Sequence, residues 1–95
     1  MNKIVKWGII GLGNAAINLA KAFSEISNSQ LIAVASKTEH KRNFFCQEFQ
    51  IERKNIYDNY EDILNNADID ILYISLPHTL HKEWCIKAAI KKKIY

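Results

Sequence analysis

Apolar positions along the chain fall into two alternating kinds of run. Ile4, Val5 and 7–10 make a compact apolar block that contains Gly8. A block of this kind suits a strand buried on both faces of a parallel sheet, and a first strand is expected over 3–10. Over 14–26 the apolar residues Ala16, Ile17, Leu19, Ala20, Phe23 and Ile26 recur at helical spacing, until "SNSQ" at 27–30 breaks the pattern. A second β-type run, "LIAVA", occupies 31–35. Helical spacing returns over 37–51, with Thr38 as N-cap and Phe44, Phe45 and Phe49 turned inward. A short third strand fits 55–57, and Asn59 caps a small helix after it. The run 68–76 reads as the clearest strand, closed by Pro77. Residues 80–92 read as a last helix with Trp84, Ala88 and Ala89 on one face. Ile94 and Tyr95 look like the first step of another strand.

Strands alternating with helices imply right-handed βαβ units. The expected fold is therefore α/β, a Rossmann-like parallel sheet with helices on both faces. It reads as incomplete at its C-terminal end, because the last helix should deliver the chain into a strand that is barely begun. No internal repeat, linker or low-complexity segment interrupts the 95 residues, which amount to one domain.

Composition narrows the function. Hydrophobic content of 48% with three glycines and one proline argues for a folded segment and against disorder. No apolar run approaches the ~18 residues that span a bilayer, and the N-terminus lacks the features of a signal peptide. The formal net charge is +3, much of it from Lys91, Lys92 and Lys93. Cations closing a helix complement its dipole, whereas a nucleic-acid binder spreads them along a groove-facing surface. No nucleic-acid or membrane partner is expected. Cys46 and Cys85 lie far apart inside helical patterns, as buried free thiols of a cytoplasmic protein would.

The chemistry concentrates in "GLGNAA" at 11–16, which leaves the first strand and enters the first helix. Gly11 permits the tight turn, and Gly13 lets backbone approach a pyrophosphate. Ala16 stands in the third glycine's place, small enough for the helix to pack on the strand. The helix then aims N–H groups and its positive dipole end at the anion. Gly11, Leu12, Gly13, Asn14, Ala15 and Ala16 are thus the expected dinucleotide cradle, in the G-x-G-x-x-A form. A methyltransferase loop would put a glycine at Ala15 and an acid at Ser36, so that reading ranks far below.

NAD sites usually end the second strand on an acid that binds the ribose 2′-OH. Here Ser36 occupies that slot and Lys37 follows. A hydroxyl and a cation suit a 2′-phosphate, with Thr38, Lys41 and Arg42 near enough in sequence to assist, which favours NADP over NAD. The plainer alternative leaves Lys37 as a solvated cation and Ser36 as a helix-entry residue.

"WGIIGLGNAA", "LIAVASKT" and "YDNYEDILNNADIDILYISLPHTLHKEWCIKAAIKKKIY" together resemble the N-terminal, nucleotide-binding half of the Gfo/Idh/MocA oxidoreductases. The resemblance covers essentially the whole chain. It is densest over 57–81, with Tyr57 and Tyr60, Asp68-Ile69-Asp70, an apolar strand, and then Ser75 to His81. It implies that Ser75, Leu76, Pro77, His78 and His81 line the nicotinamide end of the cofactor. His78 stands where the family usually has asparagine, and Lys92 where it has glycine.

The resemblance also implies a hydride-transferring oxidoreductase acting on a sugar or cyclitol hydroxyl or carbonyl, with a small polar substrate and a homo-oligomer as partners. The family's catalytic lysine, in a Glu-Lys-Pro motif, and its substrate domain would lie past residue 95, so no catalytic residue is expected in this chain. A catalytically silent nucleotide-binding or redox-sensing module is the alternative. The spacing of His78 and His81 invites a metal reading, but two ligands without a third make a poor zinc site, and no metal is expected.

Overall fold

The computed structural model describes residues 4–90. Among them, strands β1 (Val5–Ile10), β2 (Ser29–Ala35), β3 (Ile56–Tyr57) and β4 (Ile71–Ile74) alternate with helices α1 (Asn14–Phe23), α2 (Glu39–Glu48), α3 (Tyr60–Leu64) and α4 (His78–Ile90). A 3-10 turn at Arg53–Asn55 leads into β3. The sheet order is β3-β2-β1-β4, and every pairing is parallel. This is the Rossmann-like α/β architecture that the alternation of elements implies.

Side-chain alternation along the strands divides the core in two. On one face Ile9 and Val34 pack against Leu12, Ala16 and Ala20 around α1, with Phe45 of α2 and Ile51. On the other, Ile10, Ala33, Ala35, Leu72 and Ile74 pack against Ile63 and Leu64 of α3 and Trp84 and Ala88 of α4. Gly8 belongs to this second face. A Cβ there would lie 2.8 Å from Ile69 Cδ1 and 2.9 Å from Leu72 Cδ2, so the missing side chain is what lets these residues close over β1. The β1–β2 register slips between Trp7 and Gly8, leaving Ile32 as the extra residue.

Several boundaries differ from those the hydrophobic pattern predicts. α1 ends at Phe23, where the Ser24 hydroxyl and backbone N–H both turn back onto the Lys21 carbonyl, so Ile26 falls outside the helix and is exposed. β2 begins two residues earlier than expected, at Ser29, because Val5 N–H bonds the Asn28 carbonyl and starts the ladder there. β4 spans only Ile71–Ile74: Asp70 is held outside it, its carboxylate accepting the Lys6 N–H. β3 begins at Ile56, not Asn55.

Three inward assignments are corrected as well. Phe44 is exposed, since its neighbour Phe45, about 100° away on the helix, takes the buried position. Ala89 is exposed for the same reason, while Trp84 and Ala88, one turn apart, share the buried face. Both cysteines are half-buried rather than buried. α4 starts at His78, directly after Pro77, whose carbonyl accepts the Leu80 and His81 N–H groups. The expected Lys91–Lys93 helix end and the strand at Ile94 and Tyr95 lie outside the described residues. Asn59 caps α3 as expected: its Oδ1 accepts the Asp62 N–H at 2.9 Å, and its Nδ2 donates to the Asp62 carboxylate.

Candidate functional site

The carboxyl ends of the four strands are drawn into one line by backbone bonds just beyond the ladders. Ser36 N–H donates to the Tyr57 carbonyl (3.1 Å), Gly11 N–H to Ala35 (2.9 Å), and Ser75 N–H to Ile10 (2.8 Å). Four segments far apart in sequence thereby meet along one edge. Strand order reverses between β1 and β4, and in open α/β sheets the crevice outside such a switch point is where ligands bind.

Gly11 sits at that point with φ +89, in the left-handed region, and any Cβ would overlap the Ser75 carbonyl oxygen. The conformation sends the chain up from β1 and straight into α1. Leu12, 4% exposed, anchors the turn in the core, and Ala16, fully buried, lets α1 lie close on the sheet. Gly13 is the N-cap residue; its carbonyl accepts the Ile17 N–H at 3.1 Å. No side chain caps α1, and its first turn contains no acid. A Cβ on Gly13 would meet no protein atom within 4 Å, so any larger residue would fill open space in front of the helix end. Asn14 and Ala15 are exposed beside it. Uncapped N–H groups, a dipole end and a clear approach fit an anionic pyrophosphate.

The second-strand residues separate in space. Ser36 is only 4% exposed, and its hydroxyl accepts the Thr38 N–H at 3.1 Å. Thr38 is the N-cap residue of α2, yet its own side chain makes no capping bond. Arg42 donates from Nη1 to the Ser36 carbonyl at 2.7 Å. Its surroundings are a hollow of about 370 Å³ shared with Glu39, Asp58 and Asp62, on the β3 side. Lys37 holds its ammonium 5.2 Å from the centre of the Tyr60 ring. The residues brought to the glycine turn are Lys41 and His40: with Leu12, Gly13, Asn14, Ile17, Phe44 and Phe45 they line a hollow of about 280 Å³. His40 was not anticipated. The available signal was its position four residues before Phe44, which puts both on one helical face.

Past β4, Ser75 and Leu76 are half-buried, and Leu76 Cδ2 would be 3.0 Å from a Cβ on Gly11, so this loop does border the glycine turn. Pro77 and His78 are exposed. His81 is half-buried, with Nδ1 3.4 Å from Cys85 Sγ. Burial pushes the Tyr60 phenol above its ordinary value, so it is neutral at physiological pH. Among the described residues no three His, Cys, Asp or Glu side chains gather as metal ligands, and no helix is long and apolar enough to cross a membrane.

Fold, switch point and glycine turn together define a dinucleotide-binding Rossmann domain. The chain belongs to the Gfo/Idh/MocA oxidoreductase family with an NAD-binding Rossmann fold, whose model matches residues 5–94. A dTDP-3,4-didehydro-2,6-dideoxy-alpha-D-glucose 3-reductase of Saccharopolyspora spinosa is 32% identical over 89 residues, covering 93% of this chain and 26% of that protein. Scyllo-inositol dehydrogenase from Lactobacillus casei, solved with NAD(H) and scyllo-inositol, superposes with a TM-score of 0.88 at 26% identity over 96% of this chain and 26% of its own. A 3-ketoreductase from Actinomadura kijaniata, solved with TDP-benzene and NADP, gives 0.85 at 26% identity over 96% of this chain and 28% of its own. The chain thus spans about a quarter of the length of these relatives.

Proposed function

We propose that this chain is the dinucleotide-binding domain of an oxidoreductase that moves hydride between NADP and a hydroxyl or carbonyl carbon of a sugar or cyclitol. The observation that carries this is the pairing at the switch point: Gly11 pressed on the Ser75 carbonyl, and Gly13 open before an uncapped helix. Gly11 to Ala16 would hold the pyrophosphate through backbone N–H groups. Ser75, Leu76, Pro77, His78 and His81 would border the nicotinamide. The bound nicotinamide supplies hydride donor and acceptor chemistry; the chain's share is to bind, orient and shield it. The reductase and dehydrogenase relatives, of which this chain spans about a quarter, support the substrate class.

NADP is favoured over NAD because no acid stands at the end of β2. Lys37, with Lys41 across the edge, supplies positive charge for a 2′-phosphate, and the His40 ring beside Lys41 offers a hydrogen-bonding nitrogen. Ser36 and Arg42 fix the α2 entry, and each keeps a donor hydrogen for the phosphate. Cys46, a free thiol, fits a reducing compartment, the cytoplasm. NADPH and NADH fluorescence titrations of the chain test the reading. It expects tighter binding of NADPH; equal or tighter binding of NADH removes the preference, and no binding of either removes the function.

A further inference from the structure

We infer that Tyr60 is a positioning residue for Lys37, holding the lysine at the carboxyl edge of β2 so that its charge meets the dinucleotide's 2′-phosphate already ordered. The inference rests on the proposed role of Lys37 in NADP preference.

Lys37 is exposed, and the described residues give it no carboxylate partner. Its ammonium instead lies 5.2 Å from the centre of the Tyr60 ring, within cation–π range. That ring is itself fixed. It stands at 88° to Trp84 with centroids 5.3 Å apart, and Trp84 is buried in the core. The Lys87 ammonium, tied to Glu61 at 2.9 Å and Glu83 at 3.3 Å, sits 4.4 Å from the centre of the Trp84 ring. Asn59 pins the start of α3, where Tyr60 begins the helix. At the other end, Ser36 N–H is bonded to Tyr57, which fixes the backbone next to Lys37. Lysine is a flexible stem that loses rotamer freedom whenever it grips an anion, and a preformed contact removes part of that loss before the ligand arrives. Lys37 leans toward the α3 and α4 face, whereas Lys41 and His40 border the hollow beside α1. A ribose phosphate at the end of β2 would then stand between two cationic walls, one of them set by an aromatic ring.

The test compares NADPH with NADH affinity of the full chain by fluorescence titration, after circular dichroism has confirmed folding. Lys37→Gln should lower the NADPH:NADH affinity ratio. Tyr60→Phe should leave it intact, because the ring face is retained. Tyr60→Leu should lower it by about two- to five-fold, the range for an exposed cation–π contact. Pentafluorophenylalanine at position 60, which keeps the shape but withdraws charge from the ring face, should do the same and decides the matter where the leucine variant does not fold. In the Lys37→Gln background neither change should shift the ratio. An unchanged ratio with the fluorinated ring, or an effect that persists without Lys37, overturns the inference while leaving NADP preference standing. No effect of Lys37→Gln shows that the underlying role of Lys37 has failed, and the inference falls with it.

Discussion

Gly11 and Gly13 stand two residues apart, yet the structure assigns them separate tasks that substitution to alanine should split. At Gly11 a methyl group meets two obstacles. The residue has φ +89, and a non-glycine residue there costs about 1–3 kcal/mol. The new Cβ also overlaps the Ser75 carbonyl oxygen and lies 3.0 Å from both the Ser75 carbonyl carbon and Leu76 Cδ2. Ser75 cannot simply retreat, because its N–H is bonded to Ile10 at 2.8 Å; moving it would forfeit roughly 1 kcal/mol of hydrogen bonding. Together these give a loss of about 2–4 kcal/mol against the roughly 5–14 kcal/mol that holds a domain of this size. Urea melts followed by circular dichroism should show the Gly11→Ala midpoint falling by about 1–4 M, at a slope of ~1–1.5 kcal/mol/M for a small domain.

Gly13→Ala should do the reverse. Its φ of −93 and ψ of −164 are open to alanine and no protein atom lies within 4 Å, so stability should move by less than about 1 kcal/mol. The methyl would stand where the pyrophosphate approaches. Loss of one backbone bond to a charged group, about 1.5–3 kcal/mol, weakens dinucleotide binding by about 10- to 150-fold. Gly11→Ala melting like the parent, or Gly13→Ala binding NADPH undiminished, would refute the assignment.

Other expectations follow from single contacts. Asn59→Ala removes the Asp62 N–H acceptor and should cost about 1 kcal/mol in a urea melt; an unchanged midpoint would mean α3 is held by packing alone. Burial raises the Tyr60 pKa above 10.0, and hydrogen bonds to Glu61 and then Glu83 raise Lys87 above 10.5. Both groups hold their protons more tightly folded than unfolded, so their contribution is complete below about pH 10 and is lost as pH rises through the folded values. A melting temperature flat between pH 9 and 11.5 would contradict this. Trp7 Nε1 is buried without a hydrogen-bond partner among the described residues, while the ring stacks on Phe23 at 5.0 Å. Trp7→Phe should therefore cost less than about 1 kcal/mol, the lost ring volume being offset by removal of the unpartnered N–H, and a larger loss would contradict that offset.

What could be read in advance is what depends on neighbours in sequence. The glycine turn is one such feature: "GLGNAA" between an apolar run and a helical one places Gly11, Gly13 and Ala16 without knowledge of any other element. Asn59 is another, since a capping residue and its N–H are three positions apart. Phe44, Ile26 and Ala89 were misplaced because apolar character marks a stripe wider than the buried contact. Only the neighbouring elements decide which members of it are covered. Ser36 shows a subtler limit. Its hydroxyl accepts the N–H two residues on, as a helix-entry residue would, while its O–H remains a donor, and serine's composition signal is the same in either role.

The cationic side chains show where local reading stops. Lys37, Lys41 and Arg42 fall within six residues, and on a line of text they form one basic cluster. In the fold they diverge three ways: Lys37 toward Tyr60, Lys41 to the hollow by Gly13, and Arg42 to the Ser36 carbonyl beside Asp58 and Asp62. The divergence is set by which strand ends adjoin β2. Parallel register puts Tyr57 against Ser36 on one side and Ala35 against Gly11 on the other. A cation that follows Ser36 can lean to either neighbour, and helical spacing of 100° per residue turns Lys41 and Arg42 toward different neighbours. Charge within a motif therefore predicts an anion's presence better than it predicts which residue meets it. Under the proposed NADP reading, the cations facing the glycine turn and the Tyr60 ring are the ones expected to meet the 2′-phosphate.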